Sequence, residues 1–215
     1  MRQMLLILAL LALTAPAWAE ATPMIHPSRD VAVEYRSSGT PHGPAAAPGA
    51  VVTMRFSSKS GRIRIDGASG RGYAILDPGA GEMTMVMEER HMYVERAADP
   101  GMIAMFKATN GSFKKIGSDT IAGVACTIYD ATFNEHAGQV CLTDDGVMLR
   151  ARSTDADRQR ELEAVTVTYA DQPANLFEVP AGYQKLEMPN MPPGMNMGPP
   201  GGGPGSGSSG GANGH

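Results

Sequence analysis

Hydrophobic and polar residues alternate along much of the chain with a period of two, the mark of strands that bury one face. Val52, Met54 and Phe56 alternate with Thr53, Arg55 and Ser57; Ile63 and Ile65 alternate with Arg62, Arg64 and Asp66; Met83, Met85 and Met87 share one side. Further on, Val165, Val167 and Tyr169 alternate with Ala164, Thr166 and Thr168. Turn signals separate these runs at Ser60-Gly61, Gly67 to Gly72, Pro78-Gly79, Asp119 and Asp145-Gly146, the spacing of an antiparallel meander. One stretch, Asp99 to Thr109, has a helical period instead: Pro100 stands near its start, and Met102, Ile103, Met105 and Phe106 form an apolar stripe. A second short turn is expected before Leu176 and Phe177. The pattern predicts a mainly β, β-rich α+β fold, in which an antiparallel sheet is packed by one or two short helices.

Composition divides the chain around that sheet. Residues 1–19 begin with Arg2 and an apolar run from Met4 to Leu13, too short to span a bilayer, and end in Ala17-Trp18-Ala19. This is the layout of a secretory signal peptide with Glu20 as the first mature residue, so export is expected. No cysteine follows the run, which argues against a lipid anchor. Of 18 Lys and Arg against 22 Asp and Glu, the leader removes Arg2, leaving 17 against 22 and a balance of minus 5. Nothing there recruits nucleic acid or anionic lipid. Residues 20–29 form a short polar lead, and residues 189–215 are too rich in Gly, Pro and Ser to offset the entropy of ordering, so a disordered tail is expected. Between them, residues 30–188 suit one domain, interrupted by a Pro- and Gly-rich stretch, Ser37 to Ala50, that reads as a flexible loop.

Both cysteines, Cys126 and Cys141, fall in the stretch that holds the Asp145-Gly146 turn. A two-residue hairpin there places Leu142 opposite Leu149, Val140 opposite Ala151 and Cys141 opposite Arg150, with Val140, Leu142 and Leu149 toward the core. The connection Asn134 to Gly138 then brings Cys126 and Cys141 onto neighbouring strands. An exported protein with two cysteines usually pairs them, and a disulfide closing about 15 residues stabilises by about 3 kcal/mol. The phases conflict, however. Cys126 runs with the apolar Val124 and Ile128, and Cys141 with the polar Gln139 and Thr143. A sheet sheltered on both faces reconciles them; two unpaired thiols are the alternative. A redox role lacks the Cys-x-x-Cys spacing.

The segments IAGVACTIYDA, CLTDDGVMLRA and VTVTYADQPANLFEVPAGYQKLEMP together resemble a family of exported bacterial proteins of unknown function. Its marks are a Gly-x-x-Cys strand, a hairpin ending in Gly-x-x-Leu-Arg, paired Met-rich strands, and a closing signature matched by Leu176, Phe177, Val179, Pro180, Gly182 and Tyr183. The resemblance covers about residues 50 to 188. That family is similar in fold to the lipoprotein carriers LolA and LolB, which implies a curved, unclosed half-barrel and a bacterial periplasmic location. It implies no catalytic residue, and fold alone speaks only weakly for function.

Catalytic patterns are missing: there is no Gly-x-Ser-x-Gly elbow, no His-Glu-x-x-His and no helix-opening phosphate loop. Gly67 to Gly72 and Asp144-Asp145 read as turns, and the five histidines are scattered. A non-enzymatic protein without a cofactor is therefore expected, and a monomer. Two binding chemistries remain. Met54, Met83, Met85, Met87 and Met92 of the sheet, with Met102, Met105 and Phe106 of the helix, can line an adaptable groove for a lipid-like ligand or a partner segment of the cell envelope, or else fill an ordinary core. Met188, Met191, Met195 and Met197, with His215, can supply soft ligands to Cu(I), or else belong to a merely solubilising tail.

Overall fold

The computed structural model describes residues 22–39, 49–107, 111–133, 136–154 and 160–187. The leader, most of the predicted flexible loop and the tail from Met188 onward lie outside them. Among the described residues one sheet of 12 strands carries the fold. In chain order these are β1 (Val31–Gly39), β2 (Val51–Phe56), β3 (Ile63–Asp66), β4 (Gly72–Asp77), β5 (Glu82–Met87) and β6 (Met92–Ala97), then helix α1 (Pro100–Phe106). They continue with β7 (Gly111–Ile121), β8 (Val124–Phe133), β9 (His136–Leu142), β10 (Met148–Ser153), β11 (Arg160–Thr168) and β12 (Gln184–Lys185). The spatial order is β12-β6-β5-β4-β3-β2-β1-β11-β10-β9-β8-β7. Two meanders therefore meet at β1, which pairs with β2 on one side and β11 on the other. Every pairing is antiparallel except that of β12 with β6.

The sheet is curved and unclosed. A flat run of five strands would hold its outer members about 19 Å apart at the usual spacing of about 4.8 Å. Here β7 returns to within 8 Å of β11, Cα to Cα, although β8, β9 and β10 separate them. β-Bulges at Glu34/Tyr35, Lys115/Gly117 and Met148/Arg150 supply the bend. The main core gathers Val31, Val33 and Tyr35 of β1 with Phe56, Ile63, Leu76, Met83, Leu149, Ala164 and both cysteines, and Met102, Ile103 and Phe106 of α1 pack against it. Asp99 starts that helix by accepting a hydrogen bond from the Met102 backbone N–H at 2.9 Å, ahead of Pro100. The Tyr35 hydroxyl, deep in the core, donates to the Met148 carbonyl at 2.7 Å, so its burial leaves no donor unpaired.

Several local expectations are corrected. Asp119 lies inside β7, and the turn falls at Ala122-Gly123, both with positive φ. Alanine rarely takes that conformation, so the sequence hides the turn. Ser37, Ser38 and Gly39 belong to β1 rather than to the loop, with the Ser37 backbone bonded to Ala50 and Gly49. Ala137 and Gly138 lie in β9, not in the connection before it. The hairpin after β9 is a three-residue loop, because Thr143 N–H bonds to the Val147 carbonyl. Leu142 therefore faces Met148, not Leu149, and the bulge that follows restores the predicted pairs of Cys141 with Arg150 and Val140 with Ala151. On β11 the bulge opposite β1 breaks the predicted alternation and buries Ala164. Cys141, in phase with polar neighbours, is 1 % exposed, whereas Val140 is only half-buried.

Candidate functional site

Cys126 and Cys141 are joined by a disulfide with their Cα atoms 5.5 Å apart. Ile128 faces Cys141 across β8 and β9, so Cys126, two residues earlier, lies diagonal to it on the same side. The same side carries Asp119, opposite Cys126, and Arg150, opposite Cys141. Their side chains meet at 2.9 Å across the bond, a reach over two strands that the curl of the sheet makes short. Both cysteines are buried in the core on the side that carries this ion pair, an arrangement for holding strands and not for exchange.

The polar lead is built onto the domain. The Ser28 N–H bonds to the Asp145 carbonyl at 2.9 Å, and Arg29 donates to the Asp145 carboxylate at 2.7 Å while its guanidinium lies 3.6 Å from the centre of the Tyr169 ring. Thr143 and Tyr169 donate to the same carboxylate. Burial alone would raise the Asp145 pKa, but these hydrogen bonds and the Arg29 charge outweigh it and hold the group below its ordinary value. Gly146, with φ at +86°, passes directly under the His26 carbonyl where a Cβ would collide. Asp145-Gly146 is therefore a turn and also the anchor of the chain's first described segment.

The closing signature has a comparable role at the other end. The 3-10 turn Ala174–Phe177 lies against β3, with Phe177 buried. Arg62 and Arg64 donate to the carbonyls of Phe177 and Leu176 at 3.3 and 3.2 Å, and the Tyr73 hydroxyl to that of Glu178 at 3.4 Å. Val179 and Tyr183 then cover a second small cluster of Tyr73, Ile75 and Val86. Part of the sheet is sheltered on both faces.

What remains open is the face that carries the methionines of β5. Among the predicted groove residues, Met83 is buried in the core and its sulfur accepts a hydrogen bond from Arg96 at 3.5 Å, while Met54, Met102 and Phe106 are half-buried against that core. Met85 is 42 % exposed, Met87 and Met92 are half-buried, and the Met105 side chain lies outside the described set. Registers place Ala74, Met85 and Val94 in one row across β4, β5 and β6. Leu186 extends that row. Gln184 faces Met92 and Lys185 faces Tyr93, and the Leu186 N–H then bonds to the Tyr93 carbonyl, so Leu186 comes beside Val94 with 38 % exposure. Two of the chain's exposed large apolar side chains thus stand on either side of a buried valine. Alternation in β6 makes Val94 readable from sequence; Leu186 is not readable, because only the parallel pairing of β12 brings it there.

The two clefts that stand out are open to solvent and mixed in lining. One, of about 450 Å³, is lined by Ser38, Gly39, Arg152, Ser153, Thr154, Arg160 and Glu161, and one of about 360 Å³ by His26, Phe56, Arg62 and Lys107 among others. Neither offers the enclosure that an acyl chain needs. Among the described residues no three His, Cys, Asp or Glu gather as metal ligands, and no helix is long and apolar enough to cross a membrane. Met188, Met191, Met195, Met197 and His215, the predicted Cu(I) ligands, lie outside the described residues.

No protein-family profile and no curated protein matches the chain. Similar solved structures include an uncharacterized conserved protein from Thermus thermophilus, 11 % identical over 74 % of this chain and 90 % of that one, with a TM-score of 0.49. The Pseudomonas aeruginosa MucA/MucB complex includes a chain 13 % identical over 77 % of this chain and 62 % of that one, TM-score 0.43. A DUF1329 family protein from Desulfovibrio piger is 13 % identical over 70 % of this chain and 90 % of that one, TM-score 0.25. Likeness at this level carries no ligand, partner or activity to this chain.

Proposed function

We propose that this is a non-enzymatic protein of the bacterial periplasm that binds an apolar segment of an envelope partner across the open face of β4, β5, β6 and β12. One observation carries the reading: Met85 and Leu186 stay exposed in a single row with Ala74 and the buried Val94, on the face whose other end is the core. An apolar row open to water is a cost unless something covers it. Methionine suits such a surface because its unbranched thioether adapts to the shape presented. The shallow form of the row favours an extended protein segment over an acyl chain. The signal-peptide pattern and the half-barrel fold support the location.

The test compares the mature full-length chain with a Met85→Glu/Leu186→Glu variant, both expressed with the native leader and cross-linked in intact cells. A discrete cross-linked species of defined mass, present for the native chain and reduced at least tenfold for the variant, is the expected result. Stoichiometric lipid in the native protein after denaturation and extraction, with no such species, would replace the protein partner by a lipid-like one. Equal cross-linking in both would overturn the reading.

A further inference from the structure

We propose that Met85, Met87 and Met92 form a Cu(I) site on the open face of β5 and β6. Met87 stands directly opposite Met92, and Met85 is the next residue of β5 on the same side, diagonal to Met92. Directly opposed Cβ atoms in an antiparallel pair lie about 4.5–5.5 Å apart and diagonal ones about 7–8 Å. Each thioether sulfur sits two bonds beyond its Cβ on an unbranched, freely turning stem, so side-chain rotation alone can bring the three sulfurs to one point above the sheet.

The surroundings leave the sulfurs available. On the β4 side the facing residues are Gly72, opposite Met87, and Ala74, opposite Met85, neither of which has a side chain long enough to cover them. On the other side β12 places Gln184 beside Met92. Met83, the remaining methionine of the row, is excluded because it is buried and its sulfur is taken by Arg96. The set is neutral and entirely thioether. Such ligands select a soft monovalent ion; zinc takes imidazole, thiolate or carboxylate, and calcium and magnesium take oxygen donors. This site is separate from the tail methionines, although Met188 follows Leu186 by only two residues.

The measurement is an anaerobic Cu(I) titration of the mature full-length protein against a chromophoric Cu(I) chelator. The triple variant Met85→Leu/Met87→Leu/Met92→Leu keeps the face apolar and close to its native volume, so the fold is preserved while the sulfurs are removed. One equivalent of chelator-resistant Cu(I) should be lost in that variant. A second variant, with Met188, Met191, Met195 and Met197 all changed to Leu, should retain that equivalent and give an X-ray absorption first shell of sulfur alone. Full retention of copper by the triple variant, or nitrogen and oxygen ligands in the second, would overturn the site. Neither result bears on partner cross-linking, so the two proposals stand or fall separately.

Discussion

The Asp145 carboxylate gathers three side chains at one point. It receives hydrogen bonds from Thr143, Arg29 and Tyr169 and ties the first described segment to the hairpin after β9. Its pKa is held below the ordinary value, so the ionised form is bound more tightly in the folded state than in the unfolded one. The stability it contributes is present above the unfolded pKa of about 4 and is lost as pH falls through the lower folded value. Asp145→Asn should therefore be less stable at neutral pH and should lose less on acidification from about pH 5 to about pH 2, read as the urea midpoint at each pH. A variant as acid-sensitive as the native chain would show that the carboxylate is not held as described. Asp30 and Asp77 also lie below their ordinary values, so the variant removes only part of the acid sensitivity. The Asp-Gly pair identifies the turn in the sequence, but two of its partners stand 24 and 116 positions away. No local pattern reveals them.

At the scale of elements, the strands were legible wherever one face is buried and the other wet. β2 and β3 fall where the alternation of Val52 to Phe56 and Ile63 to Ile65 puts them, with Val52, Phe56 and Ile63 buried, whereas β5 lies at Met83 to Met87 but leaves Met85 exposed and buries Val86 on the opposite face. Legibility failed at bulges, where one extra residue shifts the phase, as at Ala164 and Leu149. It failed also at Ala122-Gly123, where the turn uses a residue that seldom adopts positive φ. The β4–β5 pair supplies a test of register. Gly72 approaches so closely that a Cβ there would meet the Val86 carbonyl oxygen, a backbone atom that cannot swing aside. Gly72→Ala should destabilise by about 1–3 kcal/mol, the usual cost of forcing atoms into a packed site. An unchanged denaturation midpoint would mean that these strands separate without cost.

For the molecule as a whole, the disulfide acts chiefly on the unfolded chain. It joins positions 15 residues apart, and removing both sulfurs by Cys126→Ala/Cys141→Ala should lower stability by about 3 kcal/mol in denaturant unfolding. A loss below about 1 kcal/mol would mean that core packing around the two strands already imposes the constraint. The period-two alternation was sufficient to determine a mainly β protein, because burying one face of a strand requires that pattern whatever the strand's neighbours. The pairing of the two cysteines was favoured on the same local grounds, from the expectation of export and the spacing around the hairpin. Tertiary structure alone decided which surface stays open. The row of Ala74, Met85, Val94 and Leu186 draws on β4, β5, β6 and the residue that follows β12, a two-residue strand whose parallel partner lies about 90 positions earlier in the chain. Exposure is a property of what lies above a face, and that is set by where α1 and the Leu176–Tyr183 segment fold back, which neither periodicity nor composition encodes.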